Sequence, residues 1–208
     1  MKKTTGSSLL LFLLAIVTIV SCNRQTIIPA SRMEPRLSFY GFTVARPPDT
    51  GWFVLLSEQK DDRAIFRKKL ASSTHTAFVE INFGRMSRAA TSLEDLVVLD
   101  KDKHAFQDTV NLKMINFTQT PATRQGQWCV NWTEQVLVLN PATTPIVPLA
   151  ARAQGFRCIH PLFKNAVVLE AEISERGLEG ELDSLIIKEG EEILKSIILE
   201  SSPGVPVN

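Results

Sequence analysis

From residue 39 onward the chain sets short apolar runs between polar breaks, at a spacing that suits strands better than long helices. Phe42-Thr-Val-Ala45 alternates and stops at Pro47-Pro48, Trp52-Phe-Val-Leu-Leu56 is a short apolar run, and Ala64-Ile-Phe-Arg67 is another. Ala77-Phe-Val-Glu-Ile-Asn-Phe83 places Val79, Ile81 and Phe83 on one side and Phe78, Glu80 and Asn82 on the other, the period-two pattern of a half-buried strand. Thr91-Ser-Leu-Glu94 has the spacing of a capping box and predicts a helix running to about Phe106, with Leu93, Leu96, Val97 and Phe106 inward. Two long strands are expected over 111–119 and 127–139, then a return strand at 153–161 and another over 166–173. A final amphipathic helix puts Leu182, Ile186, Ile193 and Ile197 on one side, and Asp183, Lys188, Glu191, Glu192 and Lys195 toward water. Gly190 in its middle costs about 1 kcal/mol against alanine, so it marks either a close approach to the sheet or a break. Runs of strands interrupted by two helices predict an α+β domain, a mostly antiparallel sheet flanked by two main helices.

The first residues follow a different pattern. Lys2 and Lys3 precede an almost uninterrupted apolar stretch from Leu9 to Val20, and Ser21-Cys22 follows. A charged start, an apolar stretch and a small residue before a cleavage point are the layout of a secretory signal. The stretch falls short of the roughly 20 residues that a membrane-spanning helix needs. Ile19-Val20-Ser21-Cys22 resembles the lipobox of bacterial lipoproteins. The resemblance implies that residues 1–21 are removed and that Cys22 begins the mature chain with a diacylglyceryl thioether, an anchor of two or more chains that holds stably to a membrane. It also implies a bacterial cell-envelope address. In a diderm organism Asn23, after the cysteine, favours the outer membrane, facing the periplasm. With Pro29 and Pro35 in polar surroundings, residues 22–38 are expected to be the lipidated cysteine and a tether; 39–200 form a single domain and 201–208 a C-terminal tail.

Length and composition agree with one packed domain: 208 residues, 44% hydrophobic and 22% charged, disfavour disorder and rod-like repeats. The 23 basic and 22 acidic side chains give a formal charge of +1. Removing residues 1–21 takes away two lysines and no acid, so the mature chain is at −1. That balance argues against a nucleic-acid partner, which needs a basic face to neutralise phosphates. Three cysteines are an awkward number in an exported protein. Assigning Cys22 to lipid leaves Cys129 and Cys158 as a pair in an oxidising compartment. If their strands form an antiparallel hairpin with 129 opposite 158, the same register sets Leu139 opposite Pro148 and leaves 140–147 as the connection. Opposed positions bring Cβ atoms to about 4.5–5.5 Å, close to disulfide distance. Two free buried thiols are the alternative.

Motifs for chemistry are sparse. Asp49-Thr50-Gly51 has the letters of an aspartic-protease triplet, but it follows Pro47-Pro48 and precedes Trp52, which suits a turn ahead of a strand. His75, His104 and His160 are isolated, without metal-ligand spacing, and no nucleophile elbow or phosphate-cradling glycine loop occurs. Neither a cofactor nor a metal is expected. Arg63, Arg67, Lys68 and Lys69 form the densest basic cluster, read as a solvated strand end beside Asp61 and Asp62, with anionic headgroups or an acidic partner as the alternative. Trp128 and Trp132 share a strand face with Val130, opposite Cys129; core packing is the main reading and an exposed aromatic patch the alternative.

Phe42-Thr-Val-Ala-Arg-Pro47 followed by Gly51-Trp52, a helix about 40 residues on, long antiparallel strands and a closing amphipathic helix resemble the PsbP-like fold. That fold is an α/β/α sandwich, shared by the photosystem II PsbP protein and the Ran-binding Mog protein. The resemblance would span about residues 39–200 and implies an accessory or binding module rather than an enzyme. The expected role is therefore that of a membrane-anchored envelope lipoprotein that binds another envelope protein. A structural lipoprotein without a defined ligand, and an enzyme with a dispersed site, are the alternatives.

Overall fold

A computed structural model describes residues 25–57, 62–105, 111–139, 141, 148–163 and 165–200. Cys22, the lipobox, Phe106 and the 201–208 tail lie outside the described residues, as does the side chain of His104. Eleven strands are present in this part of the chain: β1 (Gln25–Pro29), β2 (Arg36–Phe39), β3 (Phe42–Ala45), β4 (Trp52–Ser57), β5 (Ala64–Lys68), β6 (Thr76–Arg85), β7 (Leu112–Arg124), β8 (Gln127–Val138), β9 (Leu149–Ile159), β10 (Val167–Gly177) and β11 (Ile198–Leu199). Two α-helices accompany them, α1 (Leu93–Ala105) and α2 (Ser184–Lys195). Eight strands form one antiparallel sheet in the order β1-β4-β5-β6-β10-β9-β8-β7, and β11-β3-β2 form a second.

This arrangement corrects the expected fold class. It is a β-rich sandwich, not a sheet flanked by two main helices in an α/β/α sandwich. The helices have 13 and 12 residues and each covers part of one face of the large sheet. The core face is shared between α2 and the second sheet: Phe42 and Val44 of β3 and Ile186, Ile193 and Leu194 of α2 join Trp52, Val54, Phe66, Val79, Ile81, Leu169 and Ile173 in one buried cluster. The expectation missed the second sheet because two of its strands, β2 and β11, are short and lie in segments assigned to the tether and to the end of the last helix. The tether itself is a second correction. Residues 25–29 pair with β4 over the whole of β1, and Ala30 and Met33 are buried in the core. Gln25-Thr-Ile-Ile-Pro29 is too short an apolar run before a proline to stand out from a linker, and it takes the partner strand to make β1 a strand.

Several local readings survive. β6 turns Val79 and Ile81 into the core with Phe83 half-buried beside them. The β8–β9 pairing places Cys129 opposite Cys158 and Val138 opposite Leu149, the expected register, and the two cysteines form a disulfide with Cα atoms 4.1 Å apart. Helix α1 starts one residue later than the predicted box: Ser92 Oγ accepts from the Asp95 amide at 3.1 Å, while the Asp95 carboxylate accepts from the Thr91 amide at 2.9 Å. At the tip of the β7–β8 hairpin Gln125 (φ 51°) and Gly126 (φ 77°) are both left-handed, the conformation that two-residue hairpins favour. The Gln125 amide donates to the Ile197 carbonyl and accepts from the Leu199 amide, both at 2.9 Å, so the tip clamps β11.

Gly190 is a close approach, not a break. A Cβ there would lie 2.4 Å from Ile173 Cγ1, and α2 runs through it without interruption. Helix propensity alone favours Gly190→Ala by about 1 kcal/mol. Overpacking costs about 1–3 kcal/mol, and Ile173 is wholly buried with nowhere to go. The expected result of Gly190→Ala is thus a net loss of stability of up to about 2 kcal/mol, checked by urea denaturation; a variant more stable than wild type would contradict the packing account.

His160 ties the two sheets together. It is 1% exposed, its Nε2 donates to the Gly41 carbonyl at 2.8 Å, and Nδ1 accepts from the Leu162 amide at 3.3 Å, which defines a neutral ring. Gly41 has φ +79° and an added Cβ would lie 2.9 Å from His160 Nε2, so the β2–β3 turn and the histidine fit each other. Burial lowers the His160 pKa, against the opposing effects of the Gly41 hydrogen bond and Glu200. The unfolded chain takes up this proton near pH 6.5, the folded chain at lower pH, so the unfolded state binds more protons in between and stability falls as pH drops below about 6.5. Melting temperatures of wild type and His160→Gln between neutral and mildly acid pH should converge on acidification; parallel profiles would refute this origin.

Candidate functional site

The core face of the large sheet is buried along β4, β5, β6 and β10, beneath α2 and the second sheet; the opposite face carries α1. Helix α1 packs over one end, where Leu96 meets Val130, Ile159 and Val168 and is flanked by Val97 and Trp128. Beyond the helix the described residues of this face line a trough of about 510 Å³. Its shape follows from side-chain size. On this face β9 carries Ala151, Ala153 and Arg157 and β10 carries Glu170, Glu172, Ser174 and Arg176, while β6 on one side presents Thr76 and Phe78 and β8 on the other presents Trp132, Glu134, Val136 and Val138. Small side chains on β9, bordered by larger ones on β6 and β8, leave a channel whose lining mixes apolar and charged groups.

Charge is distributed unevenly along it. At the α1 end Arg157, 6% exposed, forms an ion pair with the wholly buried Asp100 of α1 and lies 3.3 Å from Glu170. Gln119 of β7 also donates to Asp100. Burial works against the charged Arg157 guanidinium, and Glu170 and Glu172 oppose that effect. At the other end Arg176 of β10 lies opposite Thr76 and Ala151, and its Nε is shielded from solvent with no hydrogen-bond partner.

The residues singled out from sequence are scattered. Cys129 and Cys158 are joined inside the core, on the face away from the trough, and hold strands rather than perform chemistry. Asp49 is exposed in a turn that ends at Gly51 (φ +93°). Its neighbour Thr50 accepts from Lys68 at 2.9 Å; Lys68 also binds Glu189 of α2, which accepts from Trp52 Nε1 at 2.7 Å. Burial raises the Glu189 pKa, but hydrogen bonds from Lys68, Trp52 and Thr50 outweigh it and hold the carboxyl below its usual range. This network fastens α2 to β4 and β5. The basic cluster is therefore divided: Lys68 is committed to Glu189, Arg63 pairs with Glu80 at 2.9 Å, and Arg67 and Lys69 are exposed. His75 hydrogen-bonds the wholly buried Glu175 at 2.8 Å, and Glu175 also accepts from Arg152 at 2.7 Å and from the Asp183 amide at 2.8 Å. Trp132 lines the trough and Trp128 packs against α1.

Arg157, Asp100, Glu175 and Arg176 were not anticipated. A signal existed only for the trough face of β10: Glu170-Ala-Glu-Ile-Ser174 alternates polar and apolar residues, which sets Glu170, Glu172, Ser174 and Arg176 on one face, whereas Glu175 falls in the apolar set and is buried. Among the described residues no three metal-ligating side chains cluster, and no helix is long and apolar enough to cross a membrane.

No protein-family model and no curated protein matches the chain. Among solved structures it is similar to the solution structure of cyanobacterial PsbP (CyanoP) from Synechocystis sp. PCC 6803, with 16% identity, a TM-score of 0.46, and coverage of 79% of this chain and 91% of that one.

Proposed function

We propose that this chain is a lipid-anchored, non-enzymatic binding module of a bacterial cell envelope, and that it binds through the open trough of its large sheet. The observation that supports the binding half is the channel itself, which among the described residues sets apolar Phe78, Trp132 and Val136 beside charged groups such as Arg157, Glu170, Glu172 and Arg176, a concave mixture that suits recognition. The anchoring half rests on Ile19-Val20-Ser21-Cys22 at the end of an apolar leader. Because β1 begins at Gln25, the anchor at Cys22 would hold the folded domain within a few residues of the membrane surface, not on a long tether.

Affinity capture of the lipidated protein from its own membranes, wild type beside Ala151→Trp, tests the binding site. Species recovered with wild type and lost with the filled trough support it; no recovery, or equal recovery by both, overturns it. For the anchor, Cys22→Ser should block acylation and release the protein from membranes. A variant that still fractionates with membranes after a high-salt wash would refute the anchor.

A further inference from the structure

Resting on the proposed anchor at Cys22, we infer that the outer face of β1, β4 and β5 docks on an anionic lipid surface, with Ile27 at the acyl boundary and Arg67 and Lys69 on lipid phosphates. The alternation along the three strands defines this face. Val54, Ala64 and Phe66 are buried in the core and Ile28 packs against it, so Ile27, Phe53, Leu55, Ile65 and Arg67 point the other way. The register brings them together in two rows. Ile27 lies opposite Leu55 and Leu55 opposite Ile65; in the next row Pro29 lies opposite Phe53 and Phe53 opposite Arg67. Ile27 is 61% exposed, more than any other large apolar side chain among the described residues.

Beside the second row, the chain that leaves β5 shapes a hollow of about 360 Å³, lined by Phe53, Arg67, Lys69, Ser72 and Ser73 and, among the described residues, by no carboxylate. Its other basic groups are engaged: Lys68 pairs with Glu189 and His75 bonds Glu175. Arg67 and Lys69 are exposed, and among the described residues neither has an ion-pair partner. Two such cations with hydroxyls beside them are suited to phosphate oxygens. The nearby exposed acids, Asp49 and Asp62, lie in the turns that precede β4 and β5, and Glu80 is taken by Arg63. What selects a bilayer as the source of phosphate is where the chain leads. Ile27 is five residues from Cys22, and an extended chain of that length spans at most about 18 Å, so acyl chains at Cys22 keep this face beside the membrane. Cations near an anionic leaflet and a partly inserted apolar side chain then add to the hold of the anchor. The trough stays accessible in this pose. Sheets twist by about 20–25° per strand, which turns β9, three strands on from β5, by about 60–75°, so the trough opens beside the bilayer and not onto it.

The test uses the full lipidated protein in phosphatidylcholine vesicles with and without phosphatidylglycerol. With Cys22 acylated and Cys129 and Cys158 bridged, an introduced cysteine is the single free thiol for a fluorophore, whose quenching by lipid-borne quenchers reports its closeness to the bilayer. Ala71→Cys places the label in the hollow; Leu185→Cys places it on α2, which packs on the core face. Strong quenching at 71 and weak quenching at 185 is expected in the anionic vesicles. Arg67→Gln with Lys69→Gln should lower the ratio of docked to undocked protein there by on the order of tenfold, and added salt should weaken docking in the same direction. Ile27→Ser should lower the ratio in both kinds of vesicle. Equal quenching at the two positions, or no effect of the double substitution, in a protein that still floats with the vesicles would overturn the docking face and leave the anchor standing. A protein that does not float removes both. Shielding of the label at 71 in native membranes but not in vesicles would assign the face to a protein partner and overturn the lipid assignment. Thermal melts confirm that each variant is folded before it is scored.

Discussion

Replacing Asp100 by alanine is expected to destabilise the protein by about 3–5 kcal/mol, the usual consequence of leaving one member of a buried ion pair without its partner. Asp100 is 0% and Arg157 6% exposed at the side chain, so water cannot take over the lost interaction without the helix moving. Gln119, which also donates to Asp100, loses its acceptor in the same step. Glu170, 3.3 Å from Arg157, retains part of the compensation and places the expected loss toward the lower end. Since α1 is held to the sheet by a small apolar cluster around Leu96, the loss should concentrate there. Urea denaturation gives the magnitude, and amide exchange should show α1 opening at lower free energy than β6 and β10. Replacing both partners with Asp100→Leu and Arg157→Met should recover most of the loss, because a buried pair has little net advantage over a well-packed apolar pair. A single variant within about 1 kcal/mol of wild type would show that the pair is not buried as described.

Removing the Cys129–Cys158 disulfide is the second large effect expected. The bond closes a segment of sequence separation 29, and the chain-entropy account assigns about 3–4 kcal/mol to a loop of that length. Both cysteines are 0% exposed and lie in the main core, so reductant should act slowly on the native protein and readily once it opens. Denaturation curves of the oxidised protein and of the Cys129→Ala/Cys158→Ala variant measure the difference, to which small cavities in the variant add. Thiol labelling of the denatured, unreduced protein should find both positions blocked; reactive thiols at both would remove the bridge.

The two effects differ in how far sequence foresaw them. The disulfide followed from arithmetic along the chain: an even pair once Cys22 is set aside, and a register that carries 129 to 158 and closes on a proline-rich connection. Hairpin pairing is local and repeats with period two, so one correct pair determines the rest, as Val138 opposite Leu149 confirms. The ion pair is different. Asp100 reads as one more polar residue on a helix and Arg157 as one more on a strand, separated by 57 positions. Nothing in either neighbourhood says that the helix crosses that strand.

The same division runs through the whole molecule. Where the longer strands β6 to β10 and the two helices lie, which face of β6 is apolar, which face of α2 is buried and how β8 returns as β9 were legible in the sequence alone, because each depends on periodicity and propensity within a few residues. Gly190 sits between the two cases: the sequence marked it as unusual, and its contact with Ile173 decided why. The addition of a second sheet, the recruitment of residues 25–29 to the sheet edge, the depth of His160 and the trough above Ala151 and Ala153 were decided only in three dimensions. Each depends on the sizes and charges that neighbouring strands, distant in the chain, bring to one face. The trough is low over β9 because Phe78 of β6 and Trp132 of β8 stand to either side of its alanines, and that neighbourhood is a property of strand order, which local pattern does not encode.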